Sequence, residues 1–129
     1  MLDLARHDGD MPRMIGDICK EQNLSKKYVG RLIIALRKAG MIASVRGAKG
    51  GYKIRRMPRD ISLLEIIETM EGPISLVDCT THPERCGRAD ACSAHDVWCE
   101  INEKIRADLA AVTLQQILNR SCRFEDYCI

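Results

Sequence analysis

The sequence predicts a mainly α-helical fold with one small β-hairpin, and three observations predict it. Aromatic residues make up only 4% of the 129 residues, so the core must be built from Leu, Ile, Val, Ala and Met. That composition favours helices packed on helices. Several segments repeat apolar residues at helical spacing. One glycine-rich basic run, Arg46-Gly47-Ala48-Lys49-Gly50-Gly51, sits between two short β-prone stretches and reads as a hairpin tip. The length suits one domain with an appendage.

Met1 to His7 is a short apolar segment, the tail of a helix. Arg13 to Gln22 places Met14, Ile15 and Ile18 on one helical face. Asn23 and Leu24 form a turn. Ser25 is a good N-cap for a helix from Lys26 to about Ala39, whose inner face carries Val29, Leu32, Ile33 and Leu36. Gly40 ends it as a C-terminal glycine. Met41 to Val45 and Tyr52 to Ile54 are strands. Ser62 caps Leu63 to Glu71, with Glu65 at the capping-box position. Residues 72–94 look irregular. A long helix follows to Asn119, and the tail to Ile129 carries no clear pattern.

Helix, turn, helix, strand, basic tip, strand is the order of a winged helix-turn-helix. The second helix of such a unit enters the major groove with its N-terminal residues at base edges. Those residues are Ser25, Lys26, Lys27, Tyr28 and Arg31. Arg46 and Lys49 at the tip can enter or flank the minor groove. Net charge is only +2, but its distribution is sharper. Residues 20–60 hold Lys20, Lys26, Lys27, Arg31, Arg37, Lys38, Arg46, Lys49, Lys53, Arg55, Arg56 and Arg59 against Glu21 and Asp60. Phosphate backbones attract such a footprint; a solvated basic face is the plainer reading.

The first ten residues carry Asp3, Asp8 and Asp10 and resemble no secretory signal, and no stretch approaches a membrane span. The expectation is a cytoplasmic protein. Seven cysteines in that compartment suit metal ligands or redox thiols better than a disulfide framework. Four residues stand out: Cys79, Cys86, Cys92 and His95, spaced Cys-x6-Cys-x5-Cys-x2-His. Three thiolates and an imidazole in a short loop suit zinc or an iron–sulfur cluster. Spacing alone does not separate the two. Cys19 reads as a buried small hydrophobe. Cys99, one turn past His95, is a spare ligand or a core residue. His82 is a backup ligand within the loop; His7, Cys122 and Cys128 stay unassigned.

The run from Leu36 to Gly40, the run from Val45 to Tyr52, and Glu71-Gly72-Pro73 followed by the three loop cysteines resemble the IscR/NsrR family of bacterial winged-helix regulators. The resemblance covers the chain to about Leu118. It implies a homodimer on double-stranded operator DNA, paired through the C-terminal helix. It also implies an iron–sulfur cluster on Cys79, Cys86 and Cys92, with His95 completing a [2Fe–2S] site as in the IscR-like branch. A [4Fe–4S] cluster stays open, because in the nitric-oxide-sensing branch the fourth ligand comes from the N-terminal helix. Family members begin about a dozen residues further upstream, and Met1-Leu2-Asp3-Leu4-Ala5-Arg6 resembles the end of their first helix. Gly30 stands where relatives often carry a larger polar residue, so operator specificity does not transfer.

The expected organisation is a DNA-binding winged helix over 1–75, a cluster loop over 76–95, a dimerisation helix over 96–119 and a tail over 120–129. Val97, Ile101, Ile105 and Leu109, continued by Val112, Leu114, Ile117 and Leu118, would form the apolar stripe of that helix. The function expected is a transcription regulator sensing iron, redox state or a reactive gas. The alternative is a zinc-stabilised or cofactor-free, thiol-responsive regulator that also docks on a metabolic enzyme. No paired carboxylates, nucleophile–base arrangement or phosphate-binding motif points to an enzyme.

Overall fold

The computed structural model describes residues 1–9 and 11–125, with side chains as far as Arg120. Six α-helices and one two-stranded antiparallel sheet form it: α1 Leu2–Arg6, α2 Ile15–Glu21, α3 Lys26–Lys38, β1 Ile42–Val45, β2 Gly51–Ile54, α4 Leu63–Glu71, α5 Ser93–Ala111 and α6 Leu114–Glu125. This is the winged helix-turn-helix expected from the sequence.

Local chemistry accounts for the boundaries. Asn23 takes the left-handed conformation (φ 52°) after α2, and the Leu24 N–H reaches back to the Cys19 carbonyl at 2.9 Å. Asparagine tolerates this position. The Ser25 hydroxyl accepts from the Tyr28 N–H at 3.2 Å and starts α3. Gly40 (φ 71°) ends it, with the Met41 N–H on the Leu36 carbonyl at 3.0 Å. The hairpin pairs Ile42 with Ile54 and Val45 with Gly51.

The core joins Leu4, Ile18, Cys19, Val29, Ile33, Leu36, Met41, Ile42, Ile61, Leu114 and Leu118. Cys19 is buried, as its apolar neighbours in sequence implied.

Three expectations are corrected. The helix predicted from Arg13 begins at Ile15 instead. Arg13 is extended and bridges Tyr52, each backbone N–H on the other's carbonyl at 2.9 Å. Its guanidinium grips both Asp3 carboxylate oxygens at 3.2 Å and Glu21 at 2.5 Å, tying α1, α2 and the wing together. Those carboxylates hold the Arg13 pKa above its ordinary value. Secondly, Glu65 does not complete a capping box. Ser62 accepts from the Glu65 N–H at 3.1 Å, but the Glu65 carboxylate pairs with Arg56.

Thirdly, the long helix expected over 96–119 is two helices. Val112 is extended (φ −90°, ψ 120°), and Thr113 and Gln116 form a reciprocal capping box at 2.9 and 3.3 Å. The Val112 carbonyl accepts from Leu63 at 2.8 Å, and the Leu114 N–H donates to Ile61 at 2.9 Å. The α4 entry thus takes backbone groups that a continuous helix would use itself. As a result Leu114 and Leu118 are buried in this chain's own core rather than in an outward stripe. The helix α6 also occupies part of the expected tail. The side chain of Cys122, and Cys128 altogether, lie outside the described residues.

Candidate metal centre and nucleic-acid interface

Residues 72–94 are a chain of tight turns, with 3-10 turns at Asp78–Thr80, Pro83–Arg85 and Ala89–Ala91. Hydroxyls knit its first part. Ser75 and Thr80 both donate to the Val77 carbonyl, at 2.5 and 2.8 Å, and touch each other at 2.9 Å.

One face of α5 holds this segment. His95, Cys99, Asn102 and Arg106 follow at steps of four, three and four, which align on a helix. The His95 Nε2 lies 3.0 Å from the Cys79 carbonyl oxygen and 3.6 Å from the Cys99 thiol. A carbonyl only accepts, so Nε2 carries the hydrogen of this bond, and Nδ1 lies 3.8 Å from the Asp96 carboxylate. Asn102 is 6% exposed. Its amide accepts from the Leu76 N–H at 3.3 Å and donates to the Ile74 carbonyl at 3.2 Å. Arg106 pairs with Glu68 of α4, whose carboxylate also accepts from the Ile74 N–H at 3.3 Å. The Arg106 hydrogen bond is the main reason the Glu68 carboxyl sits below its usual range. Burial pushes the Cys99 thiol up, helped by the negative charges of Asp96, Cys79 and Glu103.

Of the four predicted ligands, Cys79 and His95 meet through the Cys79 backbone. Cys79, Cys92 and His95 are half-buried, and Cys86 is exposed. Among the described residues no group of three or more His, Cys, Asp or Glu is gathered around one point for a metal ion. The donor chemistry nevertheless fits a metal or cluster. The three loop thiols are free, and they share one short segment with an imidazole. His82 faces Glu84 at 3.1 Å and is drawn into no ligand set. Sequence reading passed over Asn102. Its signal was an amide on the same helical stripe as His95 and Cys99.

Outside that stripe on α5, Val97 (55%), Trp98 (39%) and Ile101 (37%) are exposed, and Ile105 and Leu109 are half-buried.

Ser25, Lys26, Lys27, Tyr28 and Arg31 on α3 and Arg46 and Lys49 on the wing are all exposed. Among the described residues none of these five cations has an ion-pair partner, whereas Arg56, Arg59 and Arg106 each have one and Arg13 has two. The turn tip needs glycine. A Cβ on Gly50 would lie 2.4 Å from the Val45 carbonyl oxygen, and one on Gly51 2.4 Å from the Arg13 carbonyl oxygen. The turn reading and the DNA-contact reading of this tip are compatible: backbone crowding dictates the glycines, and the unpaired cations ride on them.

A helix-turn-helix with a basic wing and an unneutralised cationic face defines a winged-helix DNA-binding regulator. The model of the Rrf2 family, described as iron-dependent transcriptional regulators, matches residues 1–120, and the chain belongs to that family. It is similar to the HTH-type transcriptional regulator IscR of Yersinia enterocolitica, 34% identical over 92% of this chain and 72% of the relative. Among solved structures it resembles T. potens IscR, 35% identical with TM-score 0.74, over 93% of this chain and 78% of that one. It also resembles CymR of B. subtilis, described as the global cysteine regulator, 32% identical with TM-score 0.75, over 92% of this chain and 87% of that one. These relatives are regulators, and the chain is not an enzyme. Among the described residues no helix is long and apolar enough to cross a membrane.

Proposed function

We propose that this regulator binds operator DNA as a homodimer and senses iron, redox state or a reactive gas through an iron–sulfur cluster. Cys79, Cys86, Cys92 and His95 would hold it, with [2Fe–2S] ahead of [4Fe–4S]. When bound, such a cluster supplies one-electron redox chemistry and a target for oxidants. The chain's own residues supply the donors and the connection to the reading head.

The observation that carries this reading is the clamping of the cysteine segment between α4 and α5. Asn102 holds Leu76 and Ile74, Arg106 holds Glu68, and His95 holds Cys79. A constraint placed on the segment therefore acts on α4, which packs on the winged helix, and on α5, which carries the outward apolar face. That face, rather than a helix reaching Asn119, is the pairing surface proposed for the dimer. Two heads must match two half-sites together, so a small change in their angle alters affinity without touching a base contact. Coupling of this type is typically worth ~1–3 kcal/mol and is reciprocal.

Protein purified without oxygen should be coloured and hold iron and acid-labile sulfide in matching amounts. Cys92→Ala should bleach it. Colourless protein with zinc bound to each chain would overturn the cluster in favour of a structural Cys3His site. A metal-free regulator answering through its thiols is the second reading. The Cys99 thiol, half-buried and 3.6 Å from the His95 imidazole, is the contact that favours it. Metal-free protein whose operator affinity changes on oxidation would decide for it.

A further inference from the structure

The solvent side of α3 carries one residue that its neighbours do not explain. Val29, Ile33 and Leu36 face the core. Residues 27, 31, 34 and 38 fall in a single stripe on the opposite side, because they follow at steps of four, three and four. Three of them are Lys27, Arg31 and Lys38, exposed and, among the described residues, without an ion-pair partner. The fourth is Ile34, 51% exposed. Helical side chains lean toward the N-terminus, so Ile34 covers the turn that holds Gly30 and Arg31. A Cβ on Gly30 would meet nothing within 4 Å. A bare turn beside an exposed isoleucine, framed by cations, makes a shallow apolar notch.

We propose that Ile34, with the bare turn at Gly30, recognises the 5-methyl group of a thymine in the major groove. The inference rests on the DNA-reading role proposed for α3 and adds a specificity-determining residue to it. The cations argue for a polyanion as the occupant. Recognition helices reach base edges with a few side chains spread over about two turns, and 27, 31 and 34 have that spread. Of the base edges in the major groove, thymine alone presents a methyl group. A single exposed isoleucine on an ordinary surface needs no explanation. Here it interrupts a stripe that is otherwise wholly cationic, where a protein partner would have to bury three unpaired charges to reach it.

The test starts with full-length protein purified without oxygen and the duplex it selects from a random library. Each thymine is then replaced singly by deoxyuridine, which removes only the methyl group. Wild type should bind roughly three- to tenfold more weakly at one position in each half-site and be indifferent elsewhere. Ile34→Ala should bind the thymine and uracil duplexes equally, whereas Lys27→Ala should bind more weakly yet keep the discrimination. Gly30→Ser, which has room to fold, should blunt it by filling the notch. Indifference of wild type to every replacement, or full discrimination by Ile34→Ala, overturns the inference while specific binding leaves the DNA reading standing. Failure to select any specific duplex overturns both.

Discussion

The imidazole Nε2 of His95 lies 3.0 Å from the carbonyl oxygen of Cys79, sixteen positions earlier in the chain. One residue in the first turn of α5 thereby ties the cysteine segment's opening 3-10 turn to the helix that follows it. His95→Ala should remove this bond and lower the stability of metal-free protein by ~0.5–1.5 kcal/mol. In anaerobically purified protein the same change should alter the visible spectrum. An unchanged spectrum would mean that His95 is not a ligand.

Asn102 closes the segment from the other side. Replacing it with Leu leaves the Leu76 N–H and the Ile74 carbonyl without their partner in a part-buried place. The expected loss is ~1–2 kcal/mol by urea unfolding. Limited proteolysis should cut near Leu76 faster than in wild type. A variant as stable and as resistant as the parent would show that the clamp is dispensable.

The Glu68–Arg106 pair makes stability depend on pH in a defined direction. Its partner holds the Glu68 carboxyl below the usual range. The unfolded chain therefore binds the proton more readily, and the pair's contribution is present above the ordinary carboxylate pKa, about 4.3. It disappears as pH falls through the depressed value. With about a third of each side chain exposed, the contribution is ~1 kcal/mol or less and weakens with salt. The gap in denaturation midpoint between wild type and Glu68→Gln should close on acidification. A gap constant with pH would contradict the assignment.

Two glycines should respond oppositely to alanine. At Gly51 the new methyl group meets the Arg13 backbone at 2.4 Å, so the bridge to Tyr52 must open. That should cost ~2 kcal/mol or more. At Gly30 the space is open and the position helical, so Ala should stabilise by ~0.5–1 kcal/mol. Thermal melts of the two variants measure both signs, and a destabilised Gly30→Ala would refute the open-space argument.

Arg46→Ala should weaken specific DNA binding by ~1–3 kcal/mol, the range of a good base contact. Lys27→Ala should lower affinity evenly across sequences and reduce the salt-dependence slope by about one. Equal operator affinity for wild type and an Arg46→Ala/Lys49→Ala double variant would remove the wing from the interface.

The winged helix was legible because its signals are local. Ser25 and Ser62 cap, Gly40 terminates, and the Gly50-Gly51 pair turns, each within a few residues of what it controls. The cysteine and histidine spacing was legible as a donor set for the same reason. What sequence reading missed depends on contacts across long separations. Thr113 and Gln116 spelled a capping box, but a run of apolar residues on both sides disguised it as one helix. Only the backbone bonds from Ile61 and Leu63 to Leu114 and Val112 settle the break. Arg13 read as part of a helix and instead bridges Tyr52, a partner thirty-nine positions away. Asn102 read as one polar residue among many, until folding placed Ile74 and Leu76 against it. The sequence by itself determined α3, α4, the wing and the cationic face, and it offered a donor set of three thiols and an imidazole, since propensity, capping and charge act through near neighbours. Tertiary structure alone decided which apolar residues serve this chain's core, which point outward from α5, and what holds the cysteine segment to the reading head. Those outcomes depend on which distant backbone groups find partners once water is excluded.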